Sequence, residues 1–375
     1  MIPVFKPLIE QEEIDASTES LKLGWLGMGS YVNKFESKIQ NLLGVEDRFV
    51  AAVSTGTAGL HLALIVAGVK KDDEVIVASF NCSADFQAIS WLGAKIVFCD
   101  CDDTTLAIDL KKAAQLITPR TKAIIAMDYD CILCDHDELR NFAQKYGIRV
   151  IHDAAHSFGS FYKGQPIGSF SDICVFSHDP VKTITCLDGG TIIVKTKEEL
   201  MHVHELRLLG MQQPATVMYQ NKRAWTFDVE QVGYRYHMLN LHAAIGLAQL
   251  EKLDTISKTR RAACRKYNDL LSMIPQIRLP QTNFDGMNPF LYYIRVPAGH
   301  RDKLRDFLRE KNIDTGVHWQ PGHWFSLWKK CTAGNLTITE NVGNEILSLP
   351  LHSKMDLRII ETICQKITLY FKNRF

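Results

Sequence analysis

The sequence predicts an α/β protein with a large domain, in which helices cover a mostly parallel sheet, and a smaller α/β C-terminal domain. From about residue 47, short apolar runs alternate with segments of helical periodicity. A parallel sheet that is buried on both faces produces this pattern. The alternation stops after residue 196, and a long helical stretch follows. We therefore place a domain boundary near residue 250, with residues 1–250 in the large domain and 251–375 in the small one.

The individual elements follow from the length and spacing of the apolar runs. In the large domain we predict strands at 48–53, 72–79, 95–102, 121–128 and 148–156. Between them we predict helices at 54–69, 83–94, 110–117 and 135–147. The segment 239–274 reads as a long helix with room for one break. A strand at 290–297 and helices at 300–312 and 356–372 complete the small domain.

Composition narrows the class of protein. The 375 residues are 23% charged, with a formal net charge of +1, which gives no indication of a nucleic-acid or membrane partner. No apolar run is long enough to span a bilayer, and the N-terminus does not resemble a signal peptide. Ten cysteines without an export signal favour free thiols and a cytoplasmic location. Cys131 and Cys134 form a CxxC without a second pair, so we expect no metal.

Three polar features fall where a parallel sheet gathers its ligands, at the carboxyl ends of strands. Asp153 ends a predicted strand, where it would serve as a ligand carboxylate or as a helix N-cap. Lys182 lies between a strand and the Gly189-Gly190 pair, with Ser177 five positions earlier. Most single lysines are simply solvated, so Lys182 becomes informative only together with the other two residues.

The third feature is the small, hydroxyl-rich segment 54–59, which lies between a strand and a helix. Its backbone N–H groups at a helix N-terminus would bind a phosphate, although a plain N-cap at Ser54 or Thr55 is the favoured interpretation of the segment taken alone. A carboxylate, an amine and a phosphate cradle are together the groups that pyridoxal phosphate (PLP) requires.

With these residues, the sequence resembles the DegT/DnrJ/EryC1/StrS family of PLP-dependent sugar aminotransferases, which have the aspartate aminotransferase-like fold. The similarity extends over nearly the whole chain and includes the segments 24–36, 54–64, 72–80, 93–109, 117–128, 151–177, 181–194, 233–254 and 348–352.

The resemblance implies a role for several residues around the cofactor. Lys182 matches the Schiff-base lysine, and Asp153 matches the partner of the pyridine nitrogen. His156 corresponds to a residue beside the cofactor ring. The phosphate contacts of the family correspond to Ser177, Thr57 and Ala58. Cys82 stands where the family usually stacks an aromatic side chain on the ring, and Phe80 is the alternative.

The resemblance also implies a homodimer with shared active sites. Arg235 and His237 match a segment that reaches the cofactor phosphate of the neighbouring subunit. The loops that line the sugar-nucleotide pocket in the family correspond to Trp25, Met28, His318 and His323.

The activity implied is transfer of an amino group, from L-glutamate, to a nucleotide-linked keto sugar, with a 4-keto-6-deoxy sugar favoured. A 3-keto sugar and a smaller phosphorylated ketone remain open as acceptors. A PLP-dependent sugar dehydratase is the nearest rival. A non-catalytic PLP-binding regulator is a further alternative, since the fold alone does not establish chemistry.

Overall fold

The computed structural model describes residues 1–130, 132–213 and 215–374. Cys131, half of the CxxC pair, lies outside the described residues. The strands are β1 Phe49–Val53, β2 Glu74–Ala78, β3 Lys95–Cys99, β4 Thr121–Met127, β5 Arg149–Asp153, β6 Phe161–Tyr162, β7 Gln165–Pro166, β8 Ile173–Ser177, β9 Gly190–Val194, β10 Met211–Gln212, β11 Asp228–Val229, β12 Tyr292–Arg295, β13 Thr332–Ala333 and β14 Ile346–Leu349.

The helices alternate with these strands and then dominate the C-terminal third. They are α1 Gln11–Lys22, α2 Ser30–Leu43, α3 Gly56–Val66, α4 Ser83–Trp91, α5 Leu110–Ala114, α6 His136–Tyr146, α7 Lys197–Leu206, α8 Ala215–Tyr219, α9 Asn240–Glu251, α10 Leu253–Leu271, α11 Arg301–Glu310, α12 Thr337–Glu345 and α13 Leu357–Lys372. None of the described helices is both long enough and apolar enough to cross a bilayer.

The central sheet has eight strands in the order β1-β9-β8-β5-β4-β2-β3-β13. Its neighbouring strands are parallel from β8 through β13, and β9 runs antiparallel to both β1 and β8. The prediction of a mostly parallel sheet is confirmed. Two strands end three residues earlier than predicted, since Cys99 and Asp153 are the last residues of β3 and β5, and β2 and β4 end one residue earlier.

Helices cover both faces of this sheet, as the continuous apolar runs predicted. Successive side chains of a strand point to opposite faces. Accordingly, Val75 and Val77 of β2 pack into one buried cluster with Leu60 of α3, whereas Ile76 packs into another with Leu139 of α6.

The C-terminal third forms a separate hydrophobic cluster around the antiparallel pair of β12 and β14, where α10 and α13 contribute Tyr267 and Ile363. The predicted long helix breaks at Lys252, between α9 and α10. Strand β13 from this region nevertheless joins the central sheet, and Ile2 pairs with Ile313. The boundary near residue 250 therefore stays a prediction.

A buried ion pair anchors α2 to strand β1. The guanidinium of Arg207, which is fully buried, donates to Glu36 Oε1 and to the carbonyl of Ala52, both at 2.6 Å. Glu36 Oε1 also accepts from the Ala52 N–H at 2.7 Å. The pair thus joins an edge of the sheet to the helix that covers it.

We expect Glu36→Gln to lower the free energy of unfolding by about 3–5 kcal/mol, because it leaves the Arg207 charge buried without its partner. Urea denaturation measures this difference. Glu251→Gln serves as the control, since it removes a surface pair with Lys38 that contributes less than about 1 kcal/mol. Equal losses in the two variants would contradict the assignment.

Candidate active site

A cavity of about 280 Å³ lies where the carboxyl ends of β5 and β8 meet the N-terminus of α3. It is lined by Phe5, Gly56, Thr57, Leu60, Cys82, Ala84, Asp153, Ala155, His156, Val175, Ser177, Asp179, Val181, Lys182, Phe290, His318 and Trp319. The structure therefore brings together seven of the site residues predicted from the sequence.

The N-terminus of α3 forms one wall of the cavity. Thr55 caps this helix, and its hydroxyl accepts from the Ala58 N–H at 2.9 Å. Ala58 was predicted to contact the phosphate, but its N–H group is already bonded to the cap. The N–H groups of Gly56 and Thr57 belong to the first turn, which has no intrahelical partners for them. They offer a site for an anion.

Ser177, the last residue of β8, lies against this helix end. A Cβ atom added to Gly56 would be only 2.8 Å from the Ser177 Cβ, so the approach requires glycine. The serine hydroxyl and the first-turn N–H groups therefore line the same part of the cavity, which suits a phosphate group.

Asp153 is the last residue of β5 and is buried at the cavity wall. Its Oδ1 accepts from the Ala155 N–H at 3.0 Å, so its backbone environment holds the carboxyl in place. Burial raises the pKa of Asp153, and the nearby Lys182 acts in the opposite direction. A cationic or protonated nitrogen in the cavity would stabilise the carboxylate form.

Lys182 brings its amine into the same cavity. Its Nζ lies 4.1 Å from the centroid of the Phe290 ring. The backbone N–H of Lys182 donates to the Asp179 carbonyl at 3.0 Å. Burial lowers the pKa of Lys182, while the neighbouring Cys82 and Asp153 partly counteract this effect. A lowered pKa increases the neutral, nucleophilic fraction of the amine.

Two imidazoles complete the cavity wall. His156 is buried, and its ring centroid lies 4.4 Å from that of Phe290. His318 Nδ1 lies 2.9 Å from the Ser348 hydroxyl. Burial, assisted by the charge of Lys182, lowers the pKa of both rings, that of His318 to about 4. Both imidazoles are therefore neutral at pH 7.

Cys82 faces the cavity at the N-cap of α4, where the family usually has an aromatic ring. Burial raises the pKa of its thiol to about 11, so it is not a nucleophilic thiolate at pH 7. The proposed alternative, Phe80, is fully buried against Tyr129 and does not line the cavity.

Besides Ala58, five predicted residues lie outside the lining of this cavity. The Met28 side chain is fully buried in a core cluster, and its carbonyl accepts from Trp25 Nε1 at 2.8 Å. His323 Nδ1 is paired with the Ser79 hydroxyl at 2.8 Å. Arg235 is exposed, whereas His237 is buried beside Val53, at the end of β1.

Three aromatic residues that line the cavity were not predicted: Phe5, Phe290 and Trp319. A buried carboxyl, Asp130, was also not predicted, although its Oδ1 lies 3.2 Å from His156 Nδ1. The three aromatic residues do not follow a strand in a predicted βα unit, whereas Asp130 lies just after β4 and its position at a strand end was the signal that could have identified it.

With this geometry in place, comparison with known proteins identifies the family. The model of the DegT/DnrJ/EryC1/StrS aminotransferase family matches residues 7–368. The chain belongs to this family. It is therefore a PLP-dependent aminotransferase, and the fold predicted from the sequence is confirmed.

Individual relatives are similar to this chain over nearly their whole length. The spore coat polysaccharide biosynthesis protein SpsC of Bacillus subtilis is 33% identical over 98% of this chain and 96% of its own. The aminotransferase TlmJ from Streptoalloteichus hindustanus is 30% identical with a TM-score of 0.90, and 98% of each chain is covered. The PMP form of Spr1654 from Streptococcus pneumoniae is 26% identical, with the same coverage and TM-score.

The residues of the cavity fit the cofactor of this family. Asp153 would offer a carboxylate to the ring nitrogen, and Lys182 would offer an amine of lowered pKa to the aldehyde. Ser177 and the first turn of α3 offer donors to the phosphate. Each of these groups matches a part of PLP that requires a partner of that kind.

We expect Gly56→Ala to weaken PLP binding by at least about tenfold, because the added methyl group would push α3 away from Ser177 and disturb the anion site. Titration of the apoenzyme with PLP, followed by absorbance, measures the effect. Gly334→Ala is the matched control, since its Cβ would meet Leu116 at an ordinary 3.5 Å. Unchanged affinity in Gly56→Ala would contradict the placement of the phosphate.

Proposed function

We propose that this enzyme transfers an amino group from L-glutamate to a nucleotide-linked keto sugar, with a 4-keto-6-deoxy sugar as the favoured acceptor. The product would be an amino sugar for surface glycan synthesis. The observation that carries the proposal is the meeting of Lys182, Asp153 and the α3 N-terminus in one cavity. The name of TlmJ, an aminotransferase, supports the type of reaction. The name of SpsC, a polysaccharide biosynthesis protein, supports the use of the product in polysaccharide synthesis.

Different residues of the chain would have different roles in such a reaction. PLP, when bound, supplies an aldehyde that accepts the amino group and a ring that accepts electrons. Asp153 would hold a proton on the ring nitrogen of the bound cofactor, because a buried carboxylate stabilises a protonated nitrogen close to it. Lys182 Nζ, once free and neutral, removes the proton from the α-carbon of the amino donor and later returns one to the acceptor carbon.

The apolar walls of the cavity favour the neutral, nucleophilic form of the Lys182 amine. Phe5, Phe290 and Trp319 line the cavity with Lys182 and help to desolvate its amine, which lowers its pKa. The neutral imidazoles of His156 and His318 add polar groups without adding charge.

We also propose a homodimer in which each subunit completes the other's site. Among the described residues that line the cavity, Lys182 is the one lysine or arginine, yet both the donor and a sugar nucleotide are anionic. Arg235 is exposed outside its own cavity, and His237 Nδ1 is buried without a partner. The adjoining Trp225 and Val232 side chains are 85% and 83% exposed, which favours their burial by a second copy.

Two further parts of the proposal concern the pocket loops and the location. We assign Trp25, Met28 and His323 to the sugar-nucleotide side of the shared site, with Met28 acting through its backbone because its side chain is buried. A cytoplasmic location agrees with the nine cysteines in the described part of the chain, all of which are free thiols.

A dehydratase is the second candidate function on this fold. Sugar dehydratases that resemble this family carry a histidine in place of the lysine or an iron–sulfur cysteine set. The presence of Lys182 in the cavity favours amino transfer, because the amine supplies both the Schiff-base partner and the proton carrier.

We expect L-glutamate alone to convert the visible absorbance band of the holoenzyme to the near-ultraviolet band of the aminated cofactor, because the donor half-reaction needs no sugar. Stopped-flow absorbance measures the conversion. In Lys182→Ala the rate should fall at least about 10²-fold through loss of the proton carrier. Lys163→Ala, at the surface, is the control. A holoenzyme whose band is unchanged by any amino acid would favour the dehydratase.

The second half-reaction, in which the aminated enzyme passes its amino group to a ketone, identifies the acceptor. The aminated enzyme is mixed with nucleotide-linked 4-keto-6-deoxy sugars, nucleotide-linked 3-keto sugars and small phosphorylated ketones. Return of the visible band with the first class alone supports the proposal, whereas return with either of the others corrects the acceptor without affecting the donor half-reaction.

A further inference from the structure

A second polar cluster lies on the face of the sheet opposite to α3. It consists of Asp128, directly after β4, His136, the first residue of α6, and His152 in β5. Asp128 Oδ2 lies 2.7 Å from His152 Nε2, and Asp128 Oδ1 lies 3.2 Å from His136 Nε2. One ligand atom from each residue can be chosen so that all three lie within 4.8 Å of one another.

These three side chains are at least nine-tenths buried, with exposures of 1%, 5% and 1%. Buried polar atoms normally have hydrogen-bond partners. Among the described residues, the one polar neighbour that the structure gives His136 Nε2 is the Asp128 carboxylate at 3.2 Å, and this contact does not meet the criteria of a hydrogen bond. The nitrogen faces the carboxylate that also contacts His152.

Further contacts fix the orientation of two of these groups. His152 Nδ1 lies 2.9 Å from the Ser171 hydroxyl, which leaves Nε2 directed at Asp128. The Asp128 carboxylate accepts from the Cys134 N–H at 2.9 Å and from the Ser157 hydroxyl at 2.7 Å. Imidazole and carboxylate ligands of metal ions are oriented by such second partners.

The cluster is reached from a cavity of about 420 Å³ that is separate from the active site. His136, His152 and Ser171 form part of its lining, together with Arg48 and Arg140. The cavity provides both an entry path and room for a water molecule. Two imidazoles, one carboxylate and a water molecule form a common ligand set for Zn²⁺.

We propose that Asp128, His136 and His152 bind a divalent transition-metal ion, with Zn²⁺ as the favoured occupant and a water molecule as fourth ligand. Ligand atoms at the usual distances from a tetrahedral zinc ion lie about 3.3 Å apart. The contacts of 3.2 Å and 2.7 Å involve the two different oxygens of Asp128, and one ligand atom from each residue lies within 4.8 Å of the others, so the side chains need to shift to reach this spacing. The ion would replace the proton between His152 and Asp128.

The proposed site does not take part in amino transfer and does not depend on the proposed acceptor. A bound ion would link the end of β4, strand β5 and the start of α6. One of its ligands, His152, immediately precedes Asp153 in β5. The role of the ion is therefore structural, since an ion that binds the folded state stabilises that state.

The test uses the purified holoenzyme after treatment with a chelator. Equilibrium dialysis against Zn²⁺, followed by metal analysis, should give one ion per chain in the native protein. His136→Ala and Asp128→Asn should each reduce bound zinc at least tenfold. Dialysis against Co²⁺ should give the visible absorbance of a tetrahedral ion in the native protein and in neither variant.

His204→Ala is the matched control, because His204 also has a buried Nε2 without a hydrogen bond but belongs to no group of metal ligands in the described part of the chain. It should bind zinc like the native protein. The absorbance of bound PLP shows that each variant is folded, and His136→Gln replaces His136→Ala if the latter loses this band. Native protein without stoichiometric zinc, or zinc retained in folded variants at positions 128 and 136, would overturn the proposal.

Discussion

The close packing of the α3 N-terminus against β8 and β9 is the constraint on which the active site depends. A Cβ atom at Gly56 would lie 2.8 Å from Ser177, and one at Gly190 would lie 2.6 Å from the Thr55 carbonyl. Both glycines are therefore needed to bring the first turn of the helix to the strand ends. The phosphate donors, the carboxyl of Asp153 and the amine of Lys182 reach one cavity because this packing aligns the elements that carry them.

The same cavity imposes an electrostatic conflict. Burial raises the pKa of Asp153 and lowers that of Lys182, so each group is shifted toward its neutral form, while their mutual attraction favours the charged forms. The desolvation of these groups opposes folding, and the hydrophobic clusters on both faces of the sheet offset it. Groups held in this balance respond strongly to a ligand that brings its own charge.

The residues that could be predicted from sequence are those that follow strands of the central sheet. Asp153, Ser177 and the 54–59 segment are recognisable because strand ends of a parallel sheet lie together, and the family resemblance supplied the role of Lys182. Phe290 and Trp319 could not be predicted, since the C-terminal third brings them to the cavity through tertiary packing alone. Asp128 and His152 also lie at strand ends, but the approach of His136, the first residue of α6, depends on how that helix packs on the sheet, so the cluster could not be recognised from spacing.

Strand β13 has a consequence for how the chain can be divided. It pairs with β3 and occupies the last position of the central sheet, although it belongs to the C-terminal third. A fragment that ended near residue 250 would leave β3 with an open row of N–H and C=O groups, and such edges recruit strands from other molecules. The C-terminal third thus covers the β3 edge, which would otherwise pair with strands of other molecules. It also supplies Phe290, His318 and Trp319 to the cavity wall.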